Sequence, residues 1–143
     1  MVTDARPLRG LRVLVVDDDV DIRDMLALVL EEAGLVVDAA GSVVDAVAAI
    51  GRAAPHLVIT DIGLPGGESG VDLLRRLRSV SATRGIPVIA LTGTDMVDDG
   101  EHPAKYGFDV RLTKPADLDN LLAAIGRALR LQSTRLQARS PTA

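Results

Sequence analysis

Apolar and polar positions in this chain switch repeatedly between two rhythms. Leu11 to Val16 ("LRVLVV") is a short unbroken apolar run, the pattern of a buried strand. Ile22, Met25, Leu26, Val29, Leu30 and Ala33 then recur at helical spacing, and Gly34 marks the stop. Val36 to Ala40 predicts a second strand. Ser42 and Asp45 form a candidate capping box that opens a helix carrying Val43, Ala46, Val47 and Ile50 on one side. Leu57 to Thr60 ("LVIT") predicts a third strand, followed by a glycine-rich loop and a helix around Val71 to Arg78. Pro87 to Leu91 ("PVIAL") predicts a fourth strand and Val110 to Leu112 a short fifth. A last helix carries Leu118, Leu121, Leu122, Ile125 and Leu129.

Three segments break the rhythm. Asp95 to Tyr106 stands where a fourth helix belongs, but it contains Gly100 and Pro103 and few apolar residues, so a short, displaced or mobile helix is expected. Residues 1–10 read as an N-terminal extension and residues 132–143 as a disordered tail, leaving one domain over residues 11–131. Strands alternating with helices predict an α/β fold: a doubly wound, five-stranded parallel sheet with helices on both faces and right-handed crossovers.

Composition narrows the function classes. The only aromatic residues are Tyr106 and Phe108, so a base-stacking platform for single-stranded nucleic acid is not expected. Cysteine is absent, which removes disulfides and thiolate metal sites and fits a reducing compartment. No apolar run is long enough to span a bilayer, and Met1 to Gly10 lacks an apolar signal core, so a soluble cytoplasmic protein with no membrane partner is expected. Net charge is −4, and no acid follows Asp119, whereas Arg127, Arg130, Arg135 and Arg139 do. With no groove-reading motif beside them, the first two of these arginines read as complements to a helix C-terminus and the others as solvated, and no nucleic-acid partner is expected.

In a doubly wound sheet, ligands bind beyond the carboxyl ends of the strands. Asp17, Asp18 and Asp19 follow strand one, Asp61 follows strand three, Thr92 follows strand four, and Lys114 and Pro115 follow strand five. An aspartate after a strand is ordinarily a helix cap or turn residue. Four strand ends furnishing acids, a hydroxyl and an ammonium to one edge are another matter. Asp17, Asp18 and Asp61 make an anionic, all-oxygen pocket that suits Mg2+, not zinc. A metal there would offset their mutual repulsion and admit a phosphoryl group. A carboxylate can attack phosphorus, and Asp61 stands apart from the acidic triplet with the loop "IGLPGG" after it. Lys114 and Thr92 could contact the phosphoryl oxygens. Neither His56 nor His102 has the helix setting of a phosphodonor.

The stretches "VLVVDDDVDIRDML", "LVITDIGLPGGESG", "PVIALTG" and "GFDVRLTKP" resemble, in order, the motifs of response-regulator receiver domains of two-component signalling, over about Leu11 to Leu131. The resemblance implies a flavodoxin-like fold with strand order 2-1-3-4-5. It implies Asp61 as phosphoacceptor, Asp18 as direct Mg2+ ligand, Asp17 as its water-mediated partner and Gly63 as a carbonyl ligand. Thr92 becomes the switch hydroxyl and Lys114 the phosphate-contacting lysine, with Asp19 left as a helix cap. The implied phosphodonor is a histidine kinase or a histidine phosphotransfer protein. The implied output is altered binding of a downstream protein, with a homodimer as a further option. Such a protein is no enzyme beyond self-phosphorylation and slow self-dephosphorylation. With no output module after the last helix, the chain reads as a stand-alone receiver or one cut from a larger protein.

Three features depart from the family pattern. Arg111 stands where a switch aromatic is expected, with Tyr106 nearby as a candidate substitute; the loop "DIGLPGGESG" is one residue longer than the common version; and the fourth helix is poor. Two other readings stay open: a small phosphatase of the haloacid-dehalogenase type, in which Asp17 and Asp19 imitate Asp-x-Asp, and a receiver-fold module that binds partners without phosphate.

Overall fold

The computed structural model describes residues 8–93 and 107–139. The expected weak helix at 95–106, together with Tyr106 and His102, lies outside the described residues. Five strands form one sheet: β1 (Arg12–Val16), β2 (Val36–Ala40), β3 (Leu57–Asp61), β4 (Val88–Thr92) and β5 (Val110–Thr113). All pairings are parallel, in the order β2-β1-β3-β4-β5. The expected fold class and strand order are those observed.

Strand alternation divides the core into two layers. Val13, Val15, Leu57, Ile59, Ile89, Leu91 and Val110 face one side. There they meet Leu26 and Leu30 of α1 (Val20–Glu32) and Leu121, Leu122, Ile125 and Ala128 of α4 (Leu118–Arg139). Leu14, Val16, Val58, Val88 and Ala90 face the other. Here they meet Val43, Ala46 and Ala49 of α2 (Val43–Arg52) and Leu73, Leu74 and Leu77 of α3 (Gly70–Ser79). β1, β3 and β4 are covered on both faces, which is why they read as continuous apolar runs.

The helix ends follow local chemistry. Asp19 caps α1, its carboxylate accepting from the Asp21 and Ile22 amides at 3.0 and 3.2 Å. Gly34, at φ 98°, takes the left-handed turn after α1. Ser42 accepts from the Asp45 amide at 3.1 Å, the forward half of the expected box. The full reciprocal box lies at α3 instead: the Ser69 amide donates to Asp72 Oδ2 at 2.8 Å, and the Asp72 amide to Ser69 Oγ at 3.4 Å. That backbone bond pulls the Asp72 pKa below its ordinary value.

One boundary differs from expectation. α4 continues to Arg139, where the sequence pattern suggests a tail from residue 132. Residues 132–139 hold no glycine or proline and are rich in Gln, Arg, Leu and Ala, all compatible with a helix. The Gln132 side-chain amide also donates to the Gly85 carbonyl at 2.8 Å, fastening this part of α4 to the loop before β4.

The start of α3 sits directly behind the end of β3. The Gly70 amide donates to the Ile62 carbonyl at 2.7 Å, and a Cβ at residue 70 would collide with the Asp61 carbonyl oxygen. Only hydrogen fits there. Gly70→Ala is therefore expected to destabilise the fold by ~1–3 kcal/mol, the usual cost of overpacking, despite alanine's better helix propensity. Chemical denaturation at constant m-value is the measurement; an unchanged midpoint would show that the backbone here yields to a Cβ without cost.

Candidate functional site

The carboxyl ends of β1, β3, β4 and β5 bring together Asp17, Asp18, Asp61, Thr92 and Lys114. Carboxylate oxygens of Asp17, Asp18 and Asp61 lie within 4.8 Å of one another. Asp17 is fully buried, Asp61 partly so, and Asp18 exposed. This gradient follows from the chain path: Asp17 still hangs from the sheet, whereas Asp18 has turned outward before the Asp19 cap.

Lys114 stands between two of the acids. Its ammonium is 3.0 Å from Asp17 Oδ2 and 3.0 Å from Asp61 Oδ2. The contact to Asp61 has hydrogen-bond geometry; the one to Asp17 is an off-axis ion pair, which leaves Asp17 Oδ2 without a hydrogen bond. The other Asp17 oxygen accepts from the Asp19 amide at 2.9 Å, and Asp61 Oδ1 accepts from the Gly63 amide at 3.3 Å. Lys114 is delivered by a backbone bond from its own amide to the Thr92 carbonyl, 2.8 Å, which extends the β4–β5 pairing past the strand end.

The charges shift one another. Burial pushes the Asp61 carboxyl above its ordinary pKa; the Lys114 hydrogen bond and charge oppose this without overcoming it, and the Asp17 charge adds to the rise. Burial alone would depress the Lys114 ammonium, but hydrogen bonding and charge from Asp17 and Asp61 outweigh it and hold its pKa above the usual value. That contribution to stability is complete below the unfolded lysine pKa and fades only as pH climbs through the higher folded value.

The site thus fits a hard divalent cation: its donors are all oxygen, their negative charge exceeds the single nearby ammonium, and Asp18 leaves its carboxylate open to solvent. Thr92 is 3% exposed, and its hydroxyl has no hydrogen-bond partner among the described residues. A buried hydroxyl in that condition is an unmet demand for an oxygen partner.

Arg111 occupies β5 opposite Ala90. It alternates with Val110 and Leu112, which pack against the α1 and α4 layer, so it projects toward the other face and is half-buried. The small Ala90 leaves it room. His56 sits far from the acids, before β3, where its Nδ1 accepts from the Arg12 amide at 2.9 Å.

Sequence reasoning missed Arg23 and Gly41. The Arg23 guanidinium donates to the Asp17 carbonyl at 3.2 Å and lies where a Cβ on residue 41 would fall. Neither shows in a pattern of residue types, since one partner is a backbone oxygen and the other is the absence of a side chain.

Comparison with known proteins agrees with this geometry. The family model described as "Response regulator receiver domain" matches residues 13–126. The phosphate regulon transcriptional regulatory protein PhoB of Pseudomonas aeruginosa is 37% identical over 121 residues, 85% of this chain and 52% of that protein. PhoB of Escherichia coli is 36% identical over 119 residues, 83% of this chain and 52% of that protein. The chain spans about half the length of these relatives. Among solved structures, the receiver domain of NtrX from Brucella abortus superposes with a TM-score of 0.75 at 34% identity, covering 82% of this chain and 98% of that one. A receiver domain protein from Clostridium thermocellum gives a TM-score of 0.76 at 28% identity, covering 87% and 98%. Strand order, the acids at the strand ends and these likenesses agree: the chain belongs to the response regulator receiver domain family.

Proposed function

We propose that this receiver accepts a phosphoryl group on Asp61, with Mg2+ held by Asp17, Asp18, Asp61 and the Gly63 carbonyl, and that the change alters its binding to a downstream protein. The observation that carries the reading is the shared ammonium: Lys114 lies 3.0 Å from an oxygen of the partly buried Asp61 and 3.0 Å from one of the fully buried Asp17.

The roles follow from placement. An Asp61 oxygen attacks the phosphorus of a phosphohistidine on a histidine kinase or phosphotransfer protein. The new O–P bond forms as the P–N bond breaks, and the imidazole leaves with the electron pair. Bound Mg2+ would neutralise the phosphoryl oxygens during this transfer. Lys114 keeps its proton throughout the physiological range and stabilises the same oxygens as a point charge. Thr92 offers its unused hydroxyl to one of them. Asp17 orients Lys114 from beneath. With Asp17 fully buried and Asp19 engaged as a helix cap, the Asp-x-Asp phosphatase reading lacks both an accessible nucleophile and its partner.

Acetyl phosphate with Mg2+ is expected to add one phosphoryl group to the wild type, seen by intact-mass spectrometry, and none to Asp61→Asn. Failure of the wild type to gain mass, or equal labelling of the variant, would sink the assignment.

The raised Asp61 pKa gives a second test. A folded-state pKa above the unfolded one means that the ionised form is disfavoured by folding, so stability from this group falls as pH rises through that interval. In metal-free buffer at neutral pH, Asp61→Asn should therefore raise the thermal midpoint. With Mg2+ the order should reverse. The wild type gains ~2.7 kcal/mol at a hundredfold excess over Kd, and the variant, missing a ligand, gains less. Calorimetry with and without Mg2+ reads both; the same midpoint order in both buffers would contradict the metal assignment.

A further inference from the structure

We infer that Arg23, from α1, is a positioning residue for the metal pocket: it fixes the peptide plane that aims the Asp18 carboxylate. The inference rests on the Mg2+ reading above and deepens it.

Asp17 is held by hydrogen bonds at its amide, its carbonyl and one carboxylate oxygen, and by an ion pair at the other. Its amide donates to the Ala40 carbonyl at 3.0 Å, at the end of β2. One carboxylate oxygen takes the Asp19 amide and the other faces Lys114. Its carbonyl, the remaining group, accepts from Arg23 Nη1 at 3.2 Å. Asp18 is different. It is exposed, and among the described residues nothing hydrogen-bonds or ion-pairs its carboxylate. The direction of that carboxylate therefore depends on the backbone from which it hangs.

The Asp17 carbonyl and the Asp18 amide share one rigid plane. Fixing the carbonyl oxygen fixes the plane, and with it the direction in which the Asp18 Cα presents its side chain. Arg23 makes this bond from one turn into α1, six residues along the chain. Residue 41 leaves the path clear. A Cβ there would lie 2.8 Å from Arg23 Nη1, and the next nearest backbone atom, the Asp17 carbonyl oxygen, is 4.0 Å away. Gly41 does not use a left-handed backbone, so its lack of a side chain serves space, not conformation.

Two effects of Arg23 on a bound cation oppose each other, and this makes the inference testable by sign. As a positive charge near the pocket, Arg23 repels Mg2+, so charge removal alone would tighten binding. As a fastening for the Asp18 plane, its loss leaves the ligand unaimed, and binding weakens. Outer contacts of this kind typically cost metal sites about tenfold or more in affinity when removed.

The experiment is Mg2+ titration by isothermal calorimetry on wild type, Arg23→Ala, Arg23→Lys and Gly41→Ala. Arg23→Ala is expected to weaken Mg2+ binding about tenfold. Arg23→Lys, with one flexible donor in place of the planar fork, should recover part of the loss. Gly41→Ala keeps every charge and only pushes the guanidinium aside, so it should weaken binding in the same direction. Thermal midpoints in EDTA accompany each titration. A large midpoint drop with unchanged Mg2+ affinity would overturn the inference in favour of plain structural support. Equal or tighter binding in Arg23→Ala would overturn it too, while the Mg2+ reading stands because the wild type still binds. No Mg2+ binding by the wild type would overturn both.

Discussion

Three carboxylates crowded at one sheet edge repel one another, and everything distinctive about this end of the molecule manages that repulsion. Lys114 is placed by a backbone bond to Thr92, so its ammonium is committed to the acids before any ligand arrives. Three acids against the Lys114 ammonium and the Arg23 guanidinium still leave a formal excess of one negative charge. Burial then makes the excess felt, keeping the Asp61 carboxyl easier to protonate than an ordinary one. A fold that accepts this strain at its functional end must find its stability elsewhere. The two apolar layers on either side of β1, β3 and β4 supply it.

The division of labour is spatial. At the carboxyl ends the polar groups are left partly unsatisfied: the Thr92 hydroxyl has no hydrogen-bond partner among the described residues and Asp17 Oδ2 has only an off-axis cation. Toward the amino ends the polar groups close on one another. There Asp109 Oδ2 accepts from the Val88 amide at 2.8 Å and pairs with Arg78 at 3.2 Å, while Arg78 also donates to the Arg84 and Ile86 carbonyls. One end is tied shut and the other is held ready for an incoming group, which is how a rigid scaffold presents a reactive edge.

How much of this could be seen in the residue order depended on whether the signal was local. The strands of a two-sided sheet are apolar throughout, so "LRVLVV", "LVIT" and "PVIAL" named themselves within a residue or so of their observed bounds. The gathering of Asp17, Asp18, Asp61, Thr92 and Lys114 followed from strand parallelism alone, because every carboxyl end must then lie on the same side. What stayed hidden was tertiary or masked by composition. The Ser69–Asp72 box sits after a glycine-rich stretch that reads as loop. Residues 132–139 hold only Leu136 and Ala138 as apolar residues, so periodicity in the sequence fades before the helix does. Gly41 and Gly70 matter for what approaches them in space, and no spacing rule records that.

The length of α4 has a mechanical consequence. Its 22 residues span ~33 Å, whereas a five-residue strand spans only ~17 Å. Gln132 fastens the helix to Gly85 near the amino edge of the sheet, and the turns from there to Arg139 project ~10 Å beyond that fastening. A projecting rod magnifies what happens at its base. If α4 rocked on the sheet by about 10°, its far end would sweep ~2 Å, enough to bring a packed neighbour out of register. Small adjustments under the helix would thus arrive at its tip as displacements a partner can feel.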